Sequence, residues 1–352
     1  DRTDSPRIDR ILQCAELMLE HGADPNTFFM LGEEKETALY AACGVVNNSR
    51  LSELLIGAGA DVNDEDASYH VAEFDEHDCI RVLFENGMDA KRRATVLLRK
   101  LDFADYQGVE TILKLGTDPN EMGVWGKTAL HQAIVRGRDI ETIKLLLNHN
   151  VDPDLPCSDG KTPYVLAARH GRRDVMELLA ADGANDQITE VSDQVVALCA
   201  TGDEAGLQVL ASEQGDIALR ISAEDRTAIC EAAKFGNLAT LRLMLIAGFS
   251  VDTQDEQGFS PLHWAAWYGH IDSVNFLIEQ KAPLELQNNY GGTVIDGAVW
   301  GWINSDGDAT NGQAILNALV NAGADIEAVS PFPSGNLTVD SILVELGKNQ
   351  SN

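Results

Sequence analysis

Basic residues are scarce. Lys and Arg number 26 against 56 Asp and Glu, a formal net charge of −30. Nucleic acid is held by clustered cations that neutralise phosphates, so this balance argues against nucleic-acid binding through a basic face. It argues in the same way against docking on an anionic membrane. The shortage is uneven: residues 177–352 hold 6 basic and 25 acidic side chains, net −19, whereas residues 1–176 hold 20 and 31, net −11. Aromatics make up only 6 % of the chain, and no apolar run approaches the ~20 residues of a membrane span. No secretory leader is visible. The six cysteines, Cys14, Cys43, Cys79, Cys157, Cys199 and Cys230, include no CxxC pair and no zinc spacing with histidine. Most fall inside apolar helical patterns, where a free thiol is a small hydrophobe, and this implies a reducing, cytoplasmic compartment. No GxSxG, phosphate loop, dinucleotide fingerprint or HExxH is present. Neither catalysis nor a cofactor is expected.

What the chain does have is a repeat. Residues 253–286, TQDEQGFSPLHWAAWYGHIDSVNFLIEQKAPLEL, and residues 121–154, EMGVWGKTALHQAIVRGRDIETIKLLLNHNVDPD, run in one register. Each has a polar turn, a Gly, Thr/Ser-Pro/Ala-Leu-His, a short helix, a second Gly and a second helix. Further copies carry HGADPN at 21–26, TALYAAC at 37–43, AGADVN at 58–63, GKTPYVLAARHG at 160–171, RTAICEAAKFGN at 226–237 and NAGADIE at 321–327. The unit resembles the ankyrin repeat, of about 33 residues, and the pattern looks like bacterial multi-repeat ankyrin proteins.

The resemblance implies an all-α solenoid of helix-turn-helix units with β-hairpin-like fingers, a right-curved array with terminal caps. About ten units are expected in one array over residues 1–352. Residues 1–26 form a partial repeat, 27–327 about nine repeats with an insertion at about 303–312, and 328–352 a C-terminal cap. Physical chemistry assigns roles inside the unit. Thr128 and Ser260 can cap first helices, and Pro163 and Pro261 suit a first helical position. Gly137, Gly171, Gly236 and Gly269 end first helices where a left-handed backbone is needed. His131 and His263 are read as structural residues bonded around the finger turn. A calcium-loop-like alternation of Asn304, Asp306 and Asp308 lacks the bidentate Glu of such loops and reads as turn chemistry; no metal is expected.

Aromatic placement is the functional signal. In the ankyrin frame, the residue between His and the alanine pair and the two after the pair face the concave groove. These positions hold Trp264, Trp267 and Tyr268, Glu231, Lys234 and Phe235 one repeat earlier, and Trp300 one repeat later. Trp125, at a finger tip and expected to be exposed, Trp302, Asp255 and Glu256 are secondary candidates. Clustered exposed rings mark interaction sites, and a carboxylate rim suits a basic partner. The expected function is non-enzymatic binding of a basic protein or peptide by a monomer. The alternatives are an acidic inhibitor or immunity protein masking a basic nuclease or toxin, and a carbohydrate-binding protein or enzyme using the aromatic groove.

Overall fold

The structure is a computed structural model that describes residues 6–32, 34–304 and 309–347. Two compact units divide between Asp186 and Gln187. Unit 1 opens with the helix Pro6–Glu20 and continues in helix pairs. In the last two pairs Ala129–Val135 is followed by Ile140–Leu147, and Pro163–Arg169 by Arg173–Ala181. Unit 2 repeats the scheme: Val191–Thr201 with Glu204–Gln214, Ala228–Lys234 with Leu238–Ile246, Pro261–Trp267 with Ile271–Glu279, and Val294–Asn304 with Ala309–Ala322. The helix Leu337–Glu345 follows. The architecture is all-α, as the repeat implied. Among the described residues the only sheet is one two-stranded finger, Phe28–Leu31 against Glu34–Thr37, with Phe28 opposite Thr37.

Local chemistry sets the helix boundaries. Asn48, Asp64, Asp89, Asp105, Asp139, Thr162 and Asn237 each accept a backbone N–H of the first turn that has no partner within the helix. Ser260 does so in a capping box with His263. Thr128 does not act as the expected cap. Its hydroxyl instead donates to His131 Nδ1 at 2.6 Å. Gly137 and Gly236 take φ of 62° and 65°, the left-handed geometry that closes a first helix.

Each unit has its own core. Leu130, Ile134, Ile143 and Leu146 belong to the buried cluster of unit 1, and Leu262, Val274, Leu277 and Ile295 to that of unit 2. Polar staples join successive repeats. The Asn120 amide donates to the Asn150 carbonyl (2.9 Å) and accepts from the Asp152 N–H (2.7 Å). Asn26 makes the same double link to Gly59 and Asp61.

The two motif histidines are buried staples of the same kind. His131 Nε2 donates to the Lys161 carbonyl at 3.1 Å, so its Nδ1 is free to accept from Thr128. His263 Nδ1 accepts the Ser260 N–H (3.2 Å), which leaves Nε2–H to donate to the Gly292 carbonyl (3.4 Å). Burial holds both rings neutral, with the His131 pKa pushed down to about 4.

A buried ion pair lies in unit 1. Lys100, 1 % exposed, places Nζ 2.7 Å from Asp105 Oδ2 and donates to the Phe74 carbonyl. His77 Nε2 lies 3.0 Å from the same carboxylate oxygen. Burial pushes the Asp105 carboxyl up, but bonds from Lys100, the Gly108 N–H and His77 outweigh it, and the carboxyl stays below its usual range.

Two predictions follow from these buried groups. A histidine held neutral in the fold contributes fully above its ordinary pKa of 6.5, and the contribution is lost as pH falls towards about 4. Urea titrations of wild type and His131→Gln across that window should converge towards low pH by about 3 kcal/mol; parallel profiles would show that His131 is not held neutral. Asp105→Asn leaves the Lys100 ammonium buried and uncompensated, and should cost roughly 3–5 kcal/mol. Lys100→Met, which leaves a carboxylate that still accepts from Gly108 and His77, should cost less by the same measurement.

Candidate functional site

The aromatic candidates of unit 2 converge on one groove of about 700 Å³. Trp264, Trp267, Tyr268 and Trp300 line it, as their register implied. Phe259 and Tyr290 line it too, with Gln257, Asn288 and Asp296 among its polar neighbours. Trp267 and Trp300 stack with centroids 5.0 Å apart, and Phe259 stacks on Trp264 at 4.5 Å. Tyr290, Trp300 and Tyr268 are 77 %, 53 % and 46 % exposed. These three rings offer the largest free surface.

One glycine allows this packing. The helix Val294–Asn304 crosses Pro261–Trp267 so closely that a Cβ at Gly301 would overlap the Trp267 carbonyl. Gly297, one turn earlier, faces His263 and the Trp267 ring at ordinary contact distance. The close approach lets the Trp300 ring lie on Trp267.

Two carboxylates and one amide oxygen beside the rings are bonded within the chain. Asp255 Oδ1 accepts the N–H groups of Gln257 (3.0 Å) and Phe259 (2.9 Å), and its Oδ2 accepts the Trp264 indole N–H (2.7 Å). Asp296 accepts from the Thr293 N–H and hydroxyl, each at 2.8 Å, and from the Ser330 N–H at 2.9 Å. Asn288 Oδ1 accepts from the N–H groups of Tyr290 and Gly292. The lone pairs of these carboxylates hold the fingers in place. The groove presents ring faces beside these carboxylates.

The remaining candidates lie elsewhere. Phe235 is exposed but does not line the groove, and neither does Glu231. Glu256 is exposed at its finger, where its carbonyl accepts from Asn289. Lys234 is outside the groove wall, yet its Nζ sits over the Trp264 and Tyr268 rings at 4.9 and 5.7 Å. Trp302 is half-buried against the core and beside Gly312. Trp125 is a correction: it is half-buried rather than exposed, because Tyr69 packs edge-on against it at 6.0 Å and it rests on the unit 1 core. Asp306 and Asp308 lie outside the described residues. The Asn304 amide donates to the Trp300 carbonyl.

Phe259 and Tyr290 were not singled out from the sequence, although a signal for Tyr290 existed. It stands three residues before Thr293, just as Trp125 stands three before Thr128. One finger position thus carries a ring in both units.

Comparison with known proteins agrees with this architecture. A family model described as "Ankyrin repeats (3 copies)" matches residues 101–190, and one described as "Ankyrin repeats (many copies)" matches residues 229–278. The chain is similar to potassium channel AKT2/3 of Arabidopsis thaliana, 28 % identical over 45 % of this chain and 20 % of that protein. It is 31 % identical to the ankyrin repeat and KH domain-containing protein mask-1 of Caenorhabditis elegans over 43 % of this chain and 6 % of that protein. Ankyrin repeat protein nuc-2 of Neurospora crassa is 25 % identical over 64 % of this chain and 22 % of its own length. The chain therefore spans about a fifth or less of these relatives. The human ASB11 ankyrin repeat domain aligns with a TM-score of 0.34 and 17 % identity, covering 72 % of this chain and 99 % of that one. This is an ankyrin-repeat protein, with repeats matched in both units. Repeats of this kind generally mediate protein–protein interaction. Among the described residues no helix is long and apolar enough to cross a membrane.

Gly301→Ala tests the construction of the site. The added methyl should force the two helices apart, costing about 1–3 kcal/mol, and should weaken the Trp267–Trp300 exciton signal in circular dichroism. An unchanged melting temperature with an unchanged signal would contradict the close approach.

Proposed function

We propose that the aromatic groove of unit 2 binds a protein segment that presents Arg or Lys beside apolar side chains, and that it does so without catalysis. One observation carries the reading: six rings line a single groove beside the carboxylates of Asp255 and Asp296. Rings supply apolar area and a negative face to a cation. Only 6 basic residues in 177–352 oppose 25 acidic ones, so the field around the groove favours a basic segment.

The Asp255 and Asp296 carboxylates accept bonds from the chain itself, which weighs against their acting as a catalytic pair. The partner class, the monomeric state and a cytoplasmic setting belong to this proposal.

Selection of a random peptide library on the chain tests it. Selected peptides should be rich in Arg, Lys and apolar residues, and a Tyr290→Ala/Trp300→Ala variant should bind them at least tenfold more weakly. Peptides without basic residues, or equal binding by the folded variant, would overturn the reading. Binding that salt abolishes but the ring variant leaves intact would point instead to masking of a basic surface by charge alone.

A further inference from the structure

The contact between Lys234 and the next repeat deepens that reading and rests on it. Trp264 is held on three sides. Its indole N–H donates to Asp255, and one ring face is covered by Phe259 at 4.5 Å with the planes 21° apart. A stack that close leaves no room for an ammonium between the rings. Lys234 Nζ, 4.9 Å from the Trp264 centroid, therefore occupies the other face, and Tyr268, 5.9 Å from Trp264 centroid to centroid, meets the same ammonium at 5.7 Å.

Two features make this more than a surface lysine at rest. The backbone behind it is fixed: His270 Nε2 and the Lys234 carbonyl are 2.9 Å apart, and the His270 ring lies against Gly236, which closes the helix Ala228–Lys234. The Asp255 carboxylate, bonded to the indole N–H, also enriches the ring in negative charge, which strengthens its attraction for a cation. In a chain so rich in acid, this lysine is seated on rings.

We propose that the free faces of Trp264 and Tyr268 form a cation subsite for a guanidinium or ammonium group of the bound segment, and that Lys234 fills it until the segment arrives. The lysine is then an internal competitor. A basic side chain must displace it, and a segment without one leaves it seated. Apparent affinity is lowered by the fraction of time the subsite is occupied. For a cation–ring contact at a partly exposed site this amounts to about two- to fivefold.

The probe is Nα-acetyl-arginine amide at millimolar concentration, with Nα-acetyl-citrulline amide as its uncharged counterpart. The readout is the Trp264 indole N–H resonance, assigned through Trp264→Phe. Lys234→Met and Lys234→Gln should each bind the arginine amide about two- to fivefold more tightly than wild type, and the citrulline amide should leave the resonance in place. Lys281→Asn removes the same charge outside the groove wall, from a left-handed turn position that Asn tolerates, and should bind as wild type does. Equal or weaker binding by both Lys234 variants overturns the proposal, as does an equal gain in Lys281→Asn. If the library-selected peptides still depend on Tyr290 and Trp300 while the Lys234 variants bind the arginine amide no more tightly, the cation subsite falls and the groove reading stands. If those peptides ignore the ring variant, both fall.

Discussion

Each helix pair depends on its neighbour, because a short helix with one apolar face cannot bury that face alone. Burial between repeats is therefore the constraint from which the remaining features follow. It explains cores that run from repeat to repeat, with Leu130, Ile134, Ile143 and Leu146 in one and Leu262, Val274, Leu277 and Ile295 in the other. It also explains why the polar staples bridge repeats rather than closing within them. The Asn120 amide spans 30 residues of sequence, and so does the His131 ring. Both staples need the bridging group in one fixed state, a neutral imidazole or a correctly oriented amide. The motif histidine is thus committed to structure and withheld from chemistry.

That commitment shapes the groove. Positions that do not serve the inter-repeat core are open to other side chains, and unit 2 uses them for rings. Gly301 lets one repeat's first helix come onto the next, and the stacked Trp267 and Trp300 are the consequence. Asp255 and Asp296 hold finger and helix start, and their charge is left over as field. Structure and the proposed recognition share residues here: Asp255 orients Trp264, shapes its finger and places a carboxylate beside the ring. On the proposed function, a ligand that adds cationic and apolar surface meets prepared faces.

Much of this was legible in the sequence because register carries geometry. In-phase copies of Thr/Ser-Pro/Ala-Leu-His and the closing glycines specify helix ends, and Trp264, Trp267, Tyr268 and Trp300 follow from counting along one helix. Much of what escaped the reading depends on contacts across repeats. Trp125 stands at a finger tip, but Tyr69, from a helix two repeats earlier in register, packs against it. Thr128 stands at a helix start, yet its hydroxyl is taken by His131. Phe259 and Tyr290 enter the groove from finger positions, which sequence periodicity ranks below helix faces. Lys234 reads as a groove residue, while its ammonium is already seated on the neighbouring repeat's rings. For Trp125 and Lys234 the deciding partner lies about one repeat or more away, beyond any local pattern, whereas Thr128 is decided by His131 three residues on.

The central claim is that the rings of unit 2, rather than aromatic surface in general, receive the partner. The five tryptophan indole N–H resonances of the chain contain both the site and its controls. With a saturating library-selected basic peptide, the signals of Trp264, Trp267 and Trp300 should move, while those of Trp125 and Trp302 stay in place. Movement of Trp125 or Trp302 with the other three unchanged would contradict the account and place recognition outside the groove.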